Sequence, residues 1–226
     1  MKIGVLLSGN GVYDGAEIHE AVLTMLAIEE MGWKSVCLSI DRPQHHVINH
    51  ITGEPMEESR NMLVEAARIA RGNIQNISKI QPVDIDALVI PGGFGSAKNF
   101  SSWAFEGPAG SILPEVKLLL VNLVNVGKPI VALCVSPVVV ALALQGSGIH
   151  PQLSLGSTQE GSPYDITAFN AGINQTGASA EEKTIREVLV DTQNRIICAP
   201  CYMMNATLSE VRANIVQAMQ ALNDLL

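Results

Sequence analysis

Short runs of Val, Ile and Leu alternate along this chain with longer segments of helical period, and that alternation constrains the fold more than any other feature. KIGVLLS (2–8), KSVCLSI (34–40), DALVI (86–90) and PIVAL (129–133) are apolar runs of strand length. Strands that are apolar throughout need cover on both faces, and helices placed between them supply it. The pattern therefore implies an α/β fold with a doubly wound, mostly parallel sheet flanked by helices. AEIHEAVLTMLAIEEMG (16–32) sets Ile18, Ala21, Val22, Met25 and Leu26 on one helical stripe and stops at Gly32, a usual C-terminal glycine. After the turn signal TGEP (52–55), residues 56–71 have helical spacing and end at Gly72. Residues 112–126 do the same before Gly127, and LSEVRANIVQAMQALNDLL closes the chain as an amphipathic helix. REVLVD and RIICAP around TQN read as an added β-hairpin, and QLSLG (152–156) as a further strand. The stretch 157–183, rich in Ser, Gly, Asn and Thr, carries no readable period.

At 226 residues with 47% hydrophobic side chains, the chain can bury one substantial core, so a single domain over 1–226 is expected. Fourteen Lys and Arg against 22 Asp and Glu give a formal charge of −8. No basic face is available to neutralise phosphates, which argues against a nucleic-acid partner. No apolar run approaches the roughly 18 residues that span a bilayer, and the opening MKIGVLLSG is too short for a secretory signal, so the expectation is a cytoplasmic protein without a membrane partner. Four cysteines (Cys37, Cys134, Cys198, Cys201) do not make a disulfide framework in a chain of this size, and each needs its own explanation. Cys37, inside a strand, reads as a small core residue.

In an open parallel sheet, ligands bind beyond the carboxyl ends of the strands. Three features converge there: Cys134 after PIVAL, the PGG after DALVI, and the acidic start of the helix that follows KIGVLLS. A sharp strand-to-helix turn exposes its elbow residue, and the unpaired N–H groups of the helix favour negative charge, so a thiol there is expected to ionise more easily than a free one. Ser136-Pro137 suits the turn, because Pro is favoured in a first helical turn. Gly92 and Gly93 can bring backbone N–H groups close to a bound oxygen. The set describes a nucleophile with an oxyanion site, although a cysteine ending a core strand is also ordinary packing.

GAEIHE (15–20), DALVIPGGFG (86–95) and PIVALCVSP (129–137), in this order, resemble the ThiJ/PfpI superfamily, which shares a flavodoxin-like fold with class I glutamine amidotransferase domains. IGVLLSGNGVYDGAEIHEAVLTMLAIE (3–29), INHITGEPMEESRNMLVEAARIARG (48–72), VIPGGFGSAKN (89–99) and DTQNRIICAPCYM (191–203) are similar to its ElbB branch. The resemblance implies that Cys134 is the reactive nucleophile, that Glu20 hydrogen-bonds its sulfur, and that the N–H groups of Gly93 and Val135 form the oxyanion site. It also implies a homodimer. Glu17 shares the helical face of Glu20, and its ordinary reading is a charge favouring the helix N-terminus.

Many members place a histidine directly after the cysteine, and here that position is Val135, so no amidotransferase triad is visible. His19 adjoins Glu20 but points about 100° away around the helix, leaving it a reserve general base. His45, His46 and His50 follow the second strand without a clear helical signal, and no metal site is assigned to them. His150 reads as structural. Cys198 and Cys201 form a C-x-x-C that leaves a strand without opening a helix after a βαβ unit, which favours packing over redox use. If the last strand is parallel to the central ones, Cys201 could approach Cys134 and resolve a sulfenate. The function these readings imply is a cofactor-independent, slow glyoxalase-type enzyme acting on small α-oxoaldehydes such as glyoxal. The alternatives are a non-enzymatic cysteine redox sensor and an amidotransferase-like accessory protein linked to isoprenoid metabolism.

Overall fold

A computed structural model describes all of residues 1–226. Its main sheet has seven strands: β1 (Lys2–Leu6), β2 (Lys34–Ser39), β3 (Ile74–Asn76), β4 (Ala87–Ile90), β5 (Ile130–Leu133), β8 (Leu189–Asp191) and β9 (Ile196–Ala199), in spatial order β3-β2-β1-β4-β5-β9-β8. All neighbours are parallel except β8 and β9, the expected hairpin, which pairs Val190 with Ile197. The core strands β4 and β5 are buried at every residue, and pairing Leu88 with Ile130 and Ile3 with Ala87 brings the carboxyl ends of β1, β4 and β5 to one edge. The doubly wound, mostly parallel α/β sheet is thus present with its added hairpin.

The helices are α1 (Ile18–Glu30), α2 (Met62–Ile69), α3 (Trp103–Glu106), α4 (Pro114–Asn125), α5 (Pro137–Leu144), α6 (Ile166–Gln175) and α7 (Leu208–Leu225). Each of α1, α2, α6 and α7 starts where a side chain accepts a first-turn N–H: Glu17, Asn61, Asp165 and Thr207. At α7 the cap is reciprocal, because Glu210 reaches back to the Thr207 N–H. α5 is buried at all eight residues, which its composition PVVVALAL allows because no side chain on it needs water. No helix is long and apolar enough to cross a membrane.

Four local readings change. The segment 56–71 is helical only from Met62, where Asn61 Oδ1 accepts the Val64 N–H at 3.1 Å. Residues 56–60 instead run beside the loop that follows β2, with the Met56 N–H donating to Val47 O. QLSLG contributes only β6 (Gln152–Leu153), paired with β7 (Ser179–Ala180) in a separate two-stranded sheet. The patternless 157–183 holds α6 as well as β7. On α1 the apolar stripe splits: Ala21 is buried, but Ile18, Val22 and Leu26 are exposed, while Glu20, Thr24, Ala27 and Ile28 face inward. The rotation that buries Glu20 turns those apolar residues outward, so a polar contact has overruled hydrophobic periodicity.

Candidate functional site

The site lies where β1, β4 and β5 end. Cys134 leaves β5 in the left-handed region, with φ 56°, a conformation costing an ordinary residue roughly 1–2 kcal/mol. It is held there from both sides. Its N–H donates to Ala199 O at 2.9 Å across to β9, and Ser136, next along the elbow, donates its hydroxyl to Pro91 O at 2.7 Å. Ser136 Oγ also lies 3.0 Å from Ser96 Oγ, so the turn after β4 and the turn after β5 are fastened together. Pro137 opens α5 as expected.

Glu20 meets Cys134. Its side chain, fully buried on α1, hydrogen-bonds the cysteine sulfur, while Oε2 accepts the Gly92 N–H at 2.8 Å and Oε1 accepts the Tyr202 N–H at 3.3 Å. Burial, reinforced by the charge of Glu17, pushes the Glu20 carboxyl up to about 8, so it holds a proton at neutral pH. The Gly93 and Val135 N–H groups point at the Cys134 sulfur, where a developing oxyanion would also find them. Gly92 differs from expectation, because its N–H is committed to Glu20 and is not free for an oxyanion. Its lack of a side chain is still required: a Cβ there would stand 2.4 Å from Cys134 Cβ and 2.6 Å from Glu20 Oε2. Gly93, at φ 95°, passes just as close to the loop after β1.

The thiol itself is the second correction. Elbow geometry predicts easier ionisation, yet burial, followed by the Glu20 charge, raises Cys134 well above the ordinary thiol range, and the two N–H groups only oppose that rise. Complete enclosure outweighs the helix N-terminus here.

Above the sulfur is a small cleft walled mostly by apolar side chains. Larger hollows elsewhere on the surface lie against Lys2, Lys34 and Asp84, at the opposite ends of the strands. Glu17 lines the cleft, and it also caps α1 by accepting the Glu20 N–H at 2.7 Å. Its helix-start role and its place in the site therefore coexist. Val12, Phe94, Tyr164, Tyr202 and Met203 complete the walls. Phe94 and Tyr202 adjoin the PGG and C-x-x-C motifs in sequence, a signal that could have found them. Tyr164 comes from the patternless segment and stacks edge-on to Phe94, with centroids 5.8 Å apart.

No histidine lines the cleft. Glu20 rather than His19 faces the cysteine. His19 sits on the rim with its Nδ1 3.1 Å from Tyr202 Oη and 3.7 Å from Glu17 Oε1. His46 packs against His45 and Phe105, whereas the Nε2 of His50 accepts the Tyr13 N–H, so they serve separate contacts. His150 Nδ1 lies 2.8 Å from Gly177 O, a structural link between β6 and α6. Cys37 is buried in β2 beside Met25. β9 is parallel to β5, and Cys201 indeed comes up beside Cys134.

No protein-family model matches the chain. The human mitochondrial glutamine amidotransferase-like class 1 domain-containing protein 3 is 37% identical over 216 residues, covering 95% of this chain and 79% of that protein. The crystal structure of an isoprenoid biosynthesis protein with an amidotransferase-like domain from Ehrlichia chaffeensis superposes over the full length of both chains, with a TM-score of 0.89 and 34% identity. A glyoxalase III from Candida albicans shares the fold at a TM-score of 0.60 and 14% identity, over 98% of this chain and 97% of its own. From the two likenesses above 30% identity, each spanning nearly all of this chain, the chain belongs to the glutamine amidotransferase-like class 1 domain proteins.

Proposed function

We propose that this protein is a cofactor-independent glyoxalase-type enzyme that converts glyoxal or a similarly small α-oxoaldehyde to a 2-hydroxy acid. The observation that carries the reading is the Cys134–Glu20 contact at the floor of a cleft that admits only a small molecule, with the Gly93 and Val135 N–H groups aimed at the reacting atoms.

The reactive fraction is the pair that has lost one proton. As Sγ bonds to the aldehyde carbon, the thiol proton passes to the Glu20 carboxylate, and the carbonyl oxygen takes up the negative charge between the two N–H groups. The resulting hemithioacetal loses its carbon-bound proton, and one is returned to the neighbouring carbon. A thioester of the 2-hydroxy acid results. Water then cleaves it, regenerating the thiol. The net change is addition of one water, with no outside oxidant or reductant, so no cofactor is required. Glu20 suits both proton transfers because burial and Glu17 bring its acidity close to neutral. With Val135 after the nucleophile and no imidazole in the cleft, turnover is slow.

The test is turnover of glyoxal and methylglyoxal by purified protein beside Cys134→Ser and Glu20→Gln. Multiple turnovers lost in the serine variant support the reading, and a wild-type rate equal to that of the serine variant overturns it. The same proposal includes a homodimer, checked by light scattering, and a cytoplasmic site of action, checked by fractionation. A second reading, a non-enzymatic redox sensor, draws on the buried thiol beside Cys134. An accessory role in isoprenoid metabolism draws only on the name of the Ehrlichia protein. The missing imidazole weighs against glutamine hydrolysis in that role.

A further inference from the structure

Cys201 is a buried thiol with no part in the reaction above. Parallel pairing of Leu133 with Ala199 places Cys134 and Cys201 just past the carboxyl ends of adjacent strands. Both are non-glycine residues in left-handed backbone, with φ 56° and 47°. Such conformations persist only where surrounding contacts enforce them. For Cys201 the enforcing contact is Asn214 on α7, buried, whose Oδ1 accepts the Cys201 N–H at 3.0 Å. The result sets Cys201 close to the elbow, near enough for the charges of Glu20 and Cys134 to act on its thiol. That leaves the two cysteines at the ends of adjacent, parallel strands.

Cys198, the other half of the C-x-x-C, points elsewhere. It lies within β9 opposite Leu189, and its sulfur accepts from the Ser154 N–H. The motif visible in the sequence is therefore not the pair that the fold brings together.

We propose that Cys201 is the resolving thiol for Cys134, forming a Cys134–Cys201 disulfide when the elbow cysteine is oxidised by a small hydroperoxide. In the first step the Cys134 sulfur attacks the peroxide O–O bond. Cys134 becomes a sulfenic acid and the peroxide leaves as water or an alcohol. In the second step the Cys201 sulfur displaces the sulfenic oxygen, which departs as water with the Cys201 thiol proton. Glu20, hydrogen-bonded to Cys134 and to the Tyr202 N–H next to Cys201, is positioned to carry that proton. A cellular dithiol or glutathione restores both thiols by exchange. The cleft above Cys134 is small and walled by Phe94, Tyr164 and Tyr202, which favours hydrogen peroxide over bulky hydroperoxides. The disulfide would shield the nucleophile from the irreversible sulfinic and sulfonic steps. This inference is independent of the glyoxalase reading, since peroxide modification needs no aldehyde turnover.

The experiment is peptide mapping by mass spectrometry of the full chain after hydrogen peroxide, for wild type, Cys201→Ser, Cys201→Ala and Cys198→Ser. The expected result is a peptide pair joined through Cys134 and Cys201, lighter by two hydrogens, in wild type and Cys198→Ser. Both Cys201 variants lose the cross-link and accumulate sulfinate at Cys134. The proposal is overturned by a Cys198–Cys201 link, or by wild-type Cys134 passing to sulfinate as fast as in the Cys201 variants. Because the cross-link is read in wild-type protein, misfolding of a variant does not rescue the idea.

Discussion

The carboxyl of Glu20, on the first helix, hydrogen-bonds the sulfur of Cys134 at the end of a strand more than a hundred residues later. The contact takes a charged residue type into complete burial, and it does so with backbone N–H groups on both carboxyl oxygens. A buried carboxyl so held is not a packing residue, and its proton should be measurable.

Stability should report that proton. The Glu20 carboxyl ionises near 4.5 when exposed and near 8 in the native protein. Between those values the folded state binds the extra proton, so stability falls as pH rises through the window and levels off above it. The fall is about 5 kcal/mol. Denaturant unfolding across this range should show the slope in wild type and lose it in Glu20→Gln.

Thiol reactivity should rise over the same region. The Glu20–Cys134 pair shares its first ionisation, so alkylation of Cys134 by iodoacetamide should increase with pH to a midpoint near 8. Glu17→Gln removes a like charge beside Glu20 and should move that midpoint downward. An unchanged midpoint would mean that Glu17 acts only as a helix cap.

Gly92→Ala should separate the pair. The added Cβ would stand 2.4 Å from Cys134 Cβ and 2.8 Å from its sulfur, so one of them must move. Overpacking of this kind costs about 1–3 kcal/mol. Loss of turnover and of the alkylation midpoint, in a protein that still melts cooperatively, is the expected result.

Ser136→Ala should loosen the elbow from the turn after β4. The hydroxyl is fully buried and donates to Pro91 O at 2.7 Å. Its removal leaves that carbonyl only the longer 3.4 Å contact from Ser96 Oγ, at a cost of about 1 kcal/mol. Thermal unfolding measures the loss, and turnover should fall further than stability because Gly93 is displaced with Pro91.

Tyr164→Ala should widen the cleft. Tyr164 closes it against Phe94, and without the ring a bulkier aldehyde such as phenylglyoxal should gain relative to glyoxal. Competition kinetics for the two substrates check the ratio, and an unaltered ratio would remove Tyr164 from the list of specificity residues.

The strands KIGVLLS, KSVCLSI, DALVI and PIVAL, the helices α1, α4 and α7, the hairpin around TQN and the elbow at Cys134 were determined by the sequence, because each is written in local period or turn residues, while the pairing of that cysteine with GAEIHE was implied by the family resemblance. Tertiary structure alone decided the rest. It turned α1 so that Glu20 went inward and Ile18, Val22 and Leu26 went outward, since a buried carboxyl must find N–H partners and an exposed Leu needs none. It committed the Gly92 N–H to Glu20 rather than to an oxyanion. It raised the thiol that the helix N-terminus was expected to lower, because burial depends on what the rest of the chain places over the elbow. And it set Cys134 and Cys201 at the ends of adjacent strands, because proximity across a sheet follows strand register, which no spacing along the chain reveals.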